Sequence, residues 1–358
     1  MNPTDPPLRQ RSPEEKDRRG GHSGRRRPTP RSTPSSRADL GEIVWTNLTG
    51  AASDLMKGLM SLRQSAHPVP RKQLSSTCYH FAAAGLDLLE EVYETISGRS
   101  AGEVDEFGTD QGMIEIFRPF FQFLYHNYFR VEAEGISHIP IQGPAILVGN
   151  HAGVLPYDGT MVHLAVYNEH RTRRNVRFLV DDFVFRLPLL GTIVQRIGGT
   201  KASHENATRL IQKGHLLMIF PEGVKGMGKT YDYRYQLQQF GRGGFIRLAL
   251  RTGAPIVPVA IIGSEEIHPI IWKSHQLAKP LHVPFFPFSP TFPWLGPLGV
   301  VPLPSKWQII FGEPVRFDHL SPTNAENREL VLNETEQIRG KIQNMIDKAL
   351  AKRKSIWV

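Results

Sequence analysis

A histidine and an aspartate follow closely on an apolar segment that is predicted to be a buried strand. Residues 145–148 read Ala-Ile-Leu-Val, and His151 and Asp158 come next along the chain with glycine and proline between them. Histidine gains and loses a proton near neutral pH, so His151 is a candidate general base that removes a proton from a hydroxyl. Asp158 is the candidate partner that holds the imidazole in the tautomer with one nitrogen free for a substrate. A His/Asp pair alone is a weak signal, because most such pairs are surface residues or caps.

Apolar segments alternate with amphipathic ones around this pair. Strands are predicted at residues 145–148, 176–180, 216–220 and 256–262, and helices at residues 159–168, 204–213 and 245–252. This alternation is typical of an α/β fold with a largely parallel sheet flanked by helices. Ligands of such sheets bind beyond the carboxyl ends of the strands. Unusual residues follow three of the predicted strands: Asn150-His151, Pro221-Glu222-Gly223 and Gly263-Ser264-Glu265.

The domain organisation follows from changes in composition and periodicity. Residues 1–38 are predicted to be a disordered basic tail and residues 39–130 an N-terminal helical extension, with helices at 44–62, 79–96 and 113–129. The α/β domain is predicted to span residues 131–318. Residues 319–358 are predicted to form a C-terminal helix packed on that domain.

The charge of the chain is unevenly distributed. Ten basic and four acidic residues give residues 1–38 a net charge of +6, out of +9 for the whole chain. The tail is also rich in Pro, Ser, Thr and Gly, so it is predicted to lack a folded core. It has no apolar segment of the kind found in signal peptides, and no later stretch offers ~20 uninterrupted apolar residues. The single cysteine, Cys78, excludes an internal disulfide framework and a Cys-based zinc cluster.

Residues 283–303 form an uncharged segment that is rich in Phe, Trp, Leu and Pro. The prolines prevent a helix that spans a membrane. Two interpretations remain open: an irregular lid over the core, or an exposed apolar patch that meets lipid.

Five short motifs resemble, in order and spacing, those of the lysophospholipid (glycerolipid) acyltransferase family. They are Asn150-His151 to Asp158, the glycine–arginine pair Gly191 and Arg196, Phe220-Pro221-Glu222-Gly223, Val-Pro-Val-Ala at 257–260, and Phe-Gly-Glu-Pro-Val at 311–315. The first resembles the family's catalytic motif and the third resembles its site for the acceptor. The resemblance covers roughly residues 131–315.

The resemblance implies an O-acyltransferase that moves a fatty acyl group from acyl-CoA or acyl-carrier protein to a hydroxyl of a lysophospholipid or related glycerolipid. His151 would be the general base and Asp158 its orienting partner, with direct transfer and no metal or other cofactor. The residues expected to bind substrate are Asn150, Gly191, Arg196, Pro221, Glu222, Gly223 and Lys225. The expected partners are a membrane lipid surface, the acyl donor and the lipid acceptor, with no specific nucleic acid. The expected location is cytoplasmic and peripheral to a membrane.

The sequence departs from the family's pattern at two places. The family has four residues between the histidine and the aspartate, whereas six separate His151 from Asp158. Val224 and Lys225 stand where the family commonly has Thr-Arg, and a lysine gives a point charge in place of a bidentate fork. Arg196 is the alternative phosphate ligand, so the sequence leaves open whether the acceptor carries a phosphate.

Two alternative functions compete with acyl transfer. Residues 223–230 match the P-loop pattern G-x-x-x-x-G-K-[ST], with Lys229 in the phosphate-binding position, and would belong to a nucleotide hydrolase. Against this, the residues after Thr230 are a poor first turn for a helix. The second alternative is a non-catalytic protein whose basic tail binds a membrane or nucleic acid.

Overall fold

The computed structural model of the chain describes residues 104–153, 155–187 and 190–357. The predicted basic tail, the predicted helices at 44–62 and 79–96, and Cys78 lie outside the described residues.

A mostly parallel sheet organises the described chain. The strands are β1 (Glu132–Glu134), β2 (Ala145–Gly149), β3 (Val176–Val180), β4 (Gly199–Lys201), β5 (Leu216–Ile219), β6 (Ile256–Ile262), β7 (Trp272–Ser274), β8 (Phe286–Phe288) and β9 (Gln308–Phe311). Seven of them form one sheet in the order β1-β9-β6-β2-β5-β3-β4, while β7 and β8 pair separately. Strands β6, β2, β5, β3 and β4 run parallel, and β9 is antiparallel to β6. The predicted fold class is confirmed.

Helices cover both faces of the sheet. They are α1 (Gln111–Phe123), α2 (Tyr157–Glu169), α3 (Asp182–Phe185), α4 (Leu190–Arg196), α5 (His204–Gln212), α6 (Gly223–Met227), α7 (Gly244–Thr252), α8 (His275–Ala278) and α9 (Arg328–Lys352). Successive strand residues point to opposite faces. Ile146 therefore packs in one core with α5, α7 and α9, whereas Leu147 packs in the other with α2. Burial on both faces explains why the central strands are continuously apolar.

The structure confirms the bounds of some predicted elements and changes those of others. The strands predicted at 176–180 and 256–262 have those bounds. The helix predicted at 113–129 is α1 followed by a π-helix at Leu124–Tyr128. The C-terminal helix begins at Arg328, because Asn327 accepts a hydrogen bond from the backbone N–H of Leu330 and caps it. In the described part of the chain, no helix is both long and apolar enough to cross a bilayer.

Candidate active site

His151 and Asp158 are in direct contact beyond the carboxyl end of β2. The imidazole Nδ1 lies 2.5 Å from Asp158 Oδ2. Because a carboxylate only accepts hydrogen bonds, Nδ1 carries the proton and Nε2 is the nitrogen left for a substrate. The Asp158 side chain is buried, and it also accepts from the backbone N–H groups of Ala152 at 3.1 Å and Gly159 at 2.8 Å. Three donors therefore fix the carboxylate that orients the base.

The loop between the two residues accommodates the longer spacing. Gly153 has φ +77°, in the left-handed region that favours glycine, and Pro156 is the N-cap of α2. Helix α2 begins at Tyr157, so Asp158 lies in its first turn. The turn and the helix start together bring the carboxylate back to the imidazole although six residues intervene.

Phe220 fixes the plane of the imidazole. Its ring stacks on that of His151, with centroids 4.5 Å apart and an interplanar angle of 18°. The His151 side chain is 15% exposed, so it is reachable while held on two sides. The stacking brings the first and third sequence motifs together.

Glu222 lies behind the histidine, where it supports the backbone. The backbone N–H of His151 donates to Oε1 at 2.9 Å, and that of Gln238 donates to Oε2 at 2.7 Å. Helix α6 packs directly against this point, since a Cβ added at Gly226 would lie 2.6 Å from the Cβ of Glu222 and 3.2 Å from that of His151. The third motif therefore holds the position of the histidine.

Lys229 bridges two buried carboxylates. Its Nζ lies 3.3 Å from Glu222 Oε2 and 2.9 Å from Glu265 Oε1, and its side chain is 4% exposed. Burial raises the pKa of Glu265, and the ammonium of Lys229 acts against that rise. Tyr235 completes the group by donating its backbone N–H to Glu265 Oε2 at 2.9 Å.

The Lys229 bridge contradicts the P-loop interpretation. A P-loop lysine must be free to meet nucleotide phosphates, whereas this ammonium is buried and paired with two carboxylates. The segment after Thr230 forms a short 3₁₀ helix, Tyr231–Tyr233, and not the long helix that a P-loop requires.

The other predicted substrate-binding residues occupy several environments. The Asn150 side chain is fully buried and exchanges two hydrogen bonds of 2.8 Å with the backbone of Ile261. Gly191 lets α4 approach α3, because an added Cβ would lie 2.8 Å from the Cα of Phe185. Pro221 is half-buried in the turn between β5 and α6.

The two basic candidates, Arg196 and Lys225, lie in different surroundings. Arg196 Nη1 lies 3.7 Å from Oδ2 of the buried Asp110, the N-cap of α1. Lys225 is exposed on α6. The structure therefore brings His151, Asp158 and Gly223 to one cavity, and it gives Arg196 a carboxylate partner outside it.

A cavity of about 280 Å³ opens over the His151–Asp158 pair. Its lining includes Leu179, Asp181, Leu190, Val194, Phe220, Gly223 and Val224. Among the described residues that line it there is no lysine or arginine. The site therefore presents a base, the carboxylates of Asp158 and Asp181 and a mainly apolar wall, without a fixed positive charge.

A second cavity of about 210 Å³ adjoins the first and is apolar. Leu155, Phe183 and Met227 line both cavities. Its roof comes from the uncharged segment at 283–303, from which Phe285, Phe286 and Phe292 are among the lining residues. The lid interpretation is thus confirmed for this part of the segment, whereas Trp294 at 70% exposure fits the patch interpretation.

Metal-ligating side chains do not gather at the site. Within the described residues, no group of three or more His, Cys, Asp or Glu side chains is placed to hold a metal ion.

The chain is similar to known proteins in sequence and in structure. The model of the acyltransferase family matches residues 130–262. An uncharacterized protein of Mycobacterium leprae is 48% identical over 255 residues, which is 71% of this chain and 70% of the relative. The DGAT1/2-independent enzyme synthesizing storage lipids of Bos taurus is 26% identical over 196 residues, 54% of each chain. The crystal structure of the 1-acyl-sn-glycerophosphate (LPA) acyltransferase of Thermotoga maritima aligns with a TM-score of 0.47 and 17% identity, covering 78% of this chain and 99% of that one.

Proposed function

Because the chain belongs to the acyltransferase family, we propose that it transfers a fatty acyl group from a thioester to the hydroxyl of a glycerolipid, with His151 as the general base. The observation that carries this proposal is the hydrogen bond between His151 Nδ1 and Asp158, which leaves Nε2 as the basic nitrogen beside a cavity. A base fixed in this way can act on a hydroxyl without a covalent acyl-enzyme.

The proposed reaction balances with one proton transfer out and one back. His151 Nε2 takes the proton of the acceptor hydroxyl as its oxygen attacks the carbonyl carbon of the thioester. The carbon–sulfur bond then breaks, and the imidazolium returns the proton to the leaving thiolate. A positioned base contributes ~10²–10⁴-fold to such a rate. Holding both substrates in one site contributes further orders of magnitude.

The apolar cavity is the proposed site for the acyl chain of the donor. It shares the lining residues Leu155, Phe183 and Met227 with the His151 cavity, so the carbonyl end of a chain lying in it would be directed toward the neighbouring cavity that holds the base. Its aromatic and proline-rich roof matches the chemistry of a hydrocarbon chain. Each methylene transferred from water into such a cavity contributes about 0.8 kcal/mol.

The lining of the His151 cavity favours an uncharged acceptor. A phosphate-bearing acceptor would need a basic partner, but Arg196 is paired with Asp110 and Lys225 lies on an exposed surface of α6. The Bos taurus relative is named for synthesizing storage lipids, which agrees with a neutral glycerolipid. We therefore place monoacylglycerols and diacylglycerols before lysophosphatidic acid as acceptors.

A panel of acceptors tests the proposed function. Purified protein is incubated with labelled long-chain acyl-CoA and, separately, with monoacylglycerol, diacylglycerol, lysophosphatidic acid and lysophosphatidylcholine, and the labelled products are separated by chromatography. We expect a labelled ester with the neutral acceptors. Transfer to lysophosphatidic acid alone would overturn the acceptor assignment, and no ester with any acceptor would contradict the function.

Asp158→Asn is expected to lower turnover by about 10²-fold with little change in fold. The amide of asparagine can donate to Nδ1, which favours the tautomer whose Nε2 already carries a proton. The measurement is kcat for ester formation, with the exposed Asp318→Asn as a matched control. Normal turnover in Asp158→Asn would show that the contact at 2.5 Å has no part in the reaction.

Val283→Phe is expected to shorten the acyl chain that the protein prefers. Val283 lines the apolar cavity, and the larger side chain would displace two or three methylenes of a long chain. The ratio of kcat/KM for long over short acyl-CoA should fall by about tenfold or more. The exposed Val104→Phe serves as the control. An unchanged ratio would place the acyl chain elsewhere.

A further inference from the structure

Exposed apolar side chains are concentrated in one segment of the described chain. Of the eleven large hydrophobic residues that are exposed in the described chain, six fall within residues 271–300. They are Ile271, Trp272, Leu277, Trp294, Leu295 and Val300. Single exposed hydrophobic residues are ordinary on a protein surface, but a cluster marks a contact site.

Aromatic contacts join the two tryptophans of this set through Phe288. Trp272 on β7 lies across from Phe288 on β8, with ring centroids 4.7 Å apart, and the ring centroid of Trp294 lies 6.2 Å from that of Phe288. Both tryptophans are more than half exposed, at 58% and 70%. The surface formed by Ile271, Trp272, Phe288, Trp294 and Leu295 is called the docking surface below.

The docking surface covers the outside of the segment that roofs the apolar cavity. Phe288 contacts Phe286, with centroids 5.4 Å apart, and Phe286 lines the cavity together with Phe292. One layer of aromatic rings therefore separates the proposed acyl site from the exposed tryptophans. A hydrocarbon chain that leaves a bilayer at this surface would have a short path to the cavity.

The charge around the docking surface selects its partner. Residues 267–312 contain no aspartate or glutamate, whereas they contain three lysines and three histidines. Lys306 pairs with Glu132 and Lys273 donates to the carbonyl of Gly228, whereas Lys279 and His282 are exposed close in sequence to the exposed Leu277. Tryptophan is the side chain preferred at the boundary of a bilayer, and lysine near it is attracted to anionic headgroups. The place of the two indole rings, outside the roof of the proposed acyl site, favours a bilayer over an acidic protein as the partner.

We propose that the docking surface binds the protein to an anionic lipid bilayer and directs the roof of the apolar cavity toward it. The proposal rests on the proposed function, because an enzyme that acylates a glycerolipid must reach a lipid surface. The residues of the docking surface are nevertheless separate from the His151 site. Neither Trp272 nor Trp294 is among the described residues that line the two cavities.

Co-sedimentation of the full chain with vesicles of phosphatidylcholine and phosphatidylglycerol tests the proposal. We expect Trp272→Ser/Trp294→Ser to lower the partition coefficient by about a hundredfold at low and at high salt, because each buried indole contributes at least about tenfold. Trp357→Ser, at a tryptophan that is 50% exposed but outside the docking surface, is the matched control and should bind normally.

Two further readouts separate the outcomes. Transfer from a short-chain acyl-CoA to a water-soluble acceptor should be equal in the wild type and the double variant. If neither protein transfers the acyl group but the double variant has still lost vesicle binding, the proposed function is refuted and the docking surface stands. Wild-type binding by the double variant, or an equal loss in Trp357→Ser, would overturn the proposal. A wild-type dimer that the double variant abolishes in sedimentation without lipid would assign the surface to a second copy of the chain.

Discussion

Replacing His151 with alanine is expected to lower turnover for ester formation by ~10³-fold or more while the fold is kept. The base is lost entirely, and Asp158 is not placed to replace it, because its carboxylate is held by the backbone N–H groups of Ala152 and Gly159 and lies on the Nδ1 side of the ring. The KM for either substrate should change much less than kcat, since the lost interaction belongs to the transition state.

The control for this experiment is His319→Ala, at an exposed histidine. It should retain normal turnover. Circular dichroism and thermal unfolding show whether the His151 variant is folded. A folded His151→Ala protein that loses less than tenfold in kcat would refute the assignment of the base.

Lys229→Met is expected to destabilise the protein by about 3–5 kcal/mol, the usual cost of removing one partner from a buried ion pair. The variant leaves the carboxylates of Glu222 and Glu265 buried without a counter-charge. Turnover should fall as well, because Glu222 holds the backbone N–H of His151. Urea denaturation measures the first effect and kcat the second.

A second substitution separates charge from packing in the Lys229 bridge. Adding Glu265→Gln to Lys229→Met removes one of the two stranded carboxylates and should restore part of the lost stability. Lys341→Met, at an exposed lysine of α9, should be close to neutral. If Lys229→Met were as stable as the wild type, the bridge would contribute nothing to the fold and the P-loop interpretation would regain support.

Sequence patterns predicted the sheet well because its central strands are buried on both faces. Such strands must be apolar throughout, and β3 and β6 have the bounds that their apolar runs indicated. The three-residue strands β1, β4, β7 and β8 were not predicted, since three residues are too few to show a period. Their positions depend on neighbours that are distant in sequence.

One part of the candidate site could likewise be predicted from the sequence, and another part could not. His151, Asp158 and Gly223 could be placed together because they follow neighbouring strands of a parallel sheet. The role of Lys229 could not be predicted, since the bridge joins Glu222 to Glu265, 43 positions later, and depends on the contact between the segment after α6 and the segment after β6. The glycines and the lysine at 223–230 match a phosphate-binding pattern, but in the structure the ammonium of that lysine is buried.

The side-chain orientations in the aromatic segment could not be predicted from the sequence. Composition indicated an apolar segment at 283–303 but could not assign its side chains to the inside or the outside. Phe285 is 4% exposed and faces the cavity, whereas Trp294 is 70% exposed. Trp272, which lies outside that segment, completes the exposed surface only because β7 pairs with β8.

The fate of the acyl group is the most direct test of the central claim. Acyl-CoA labelled in its acyl chain is incubated with purified wild-type protein and diacylglycerol, and the label is followed into ester, free fatty acid and protein. We expect label to enter the lipid ester in step with release of CoA thiol, with none covalently attached to the protein, and we expect His151→Ala to abolish both products together. Label recovered only as free fatty acid, or ester formed equally well by His151→Ala, would contradict direct transfer with His151 as the base.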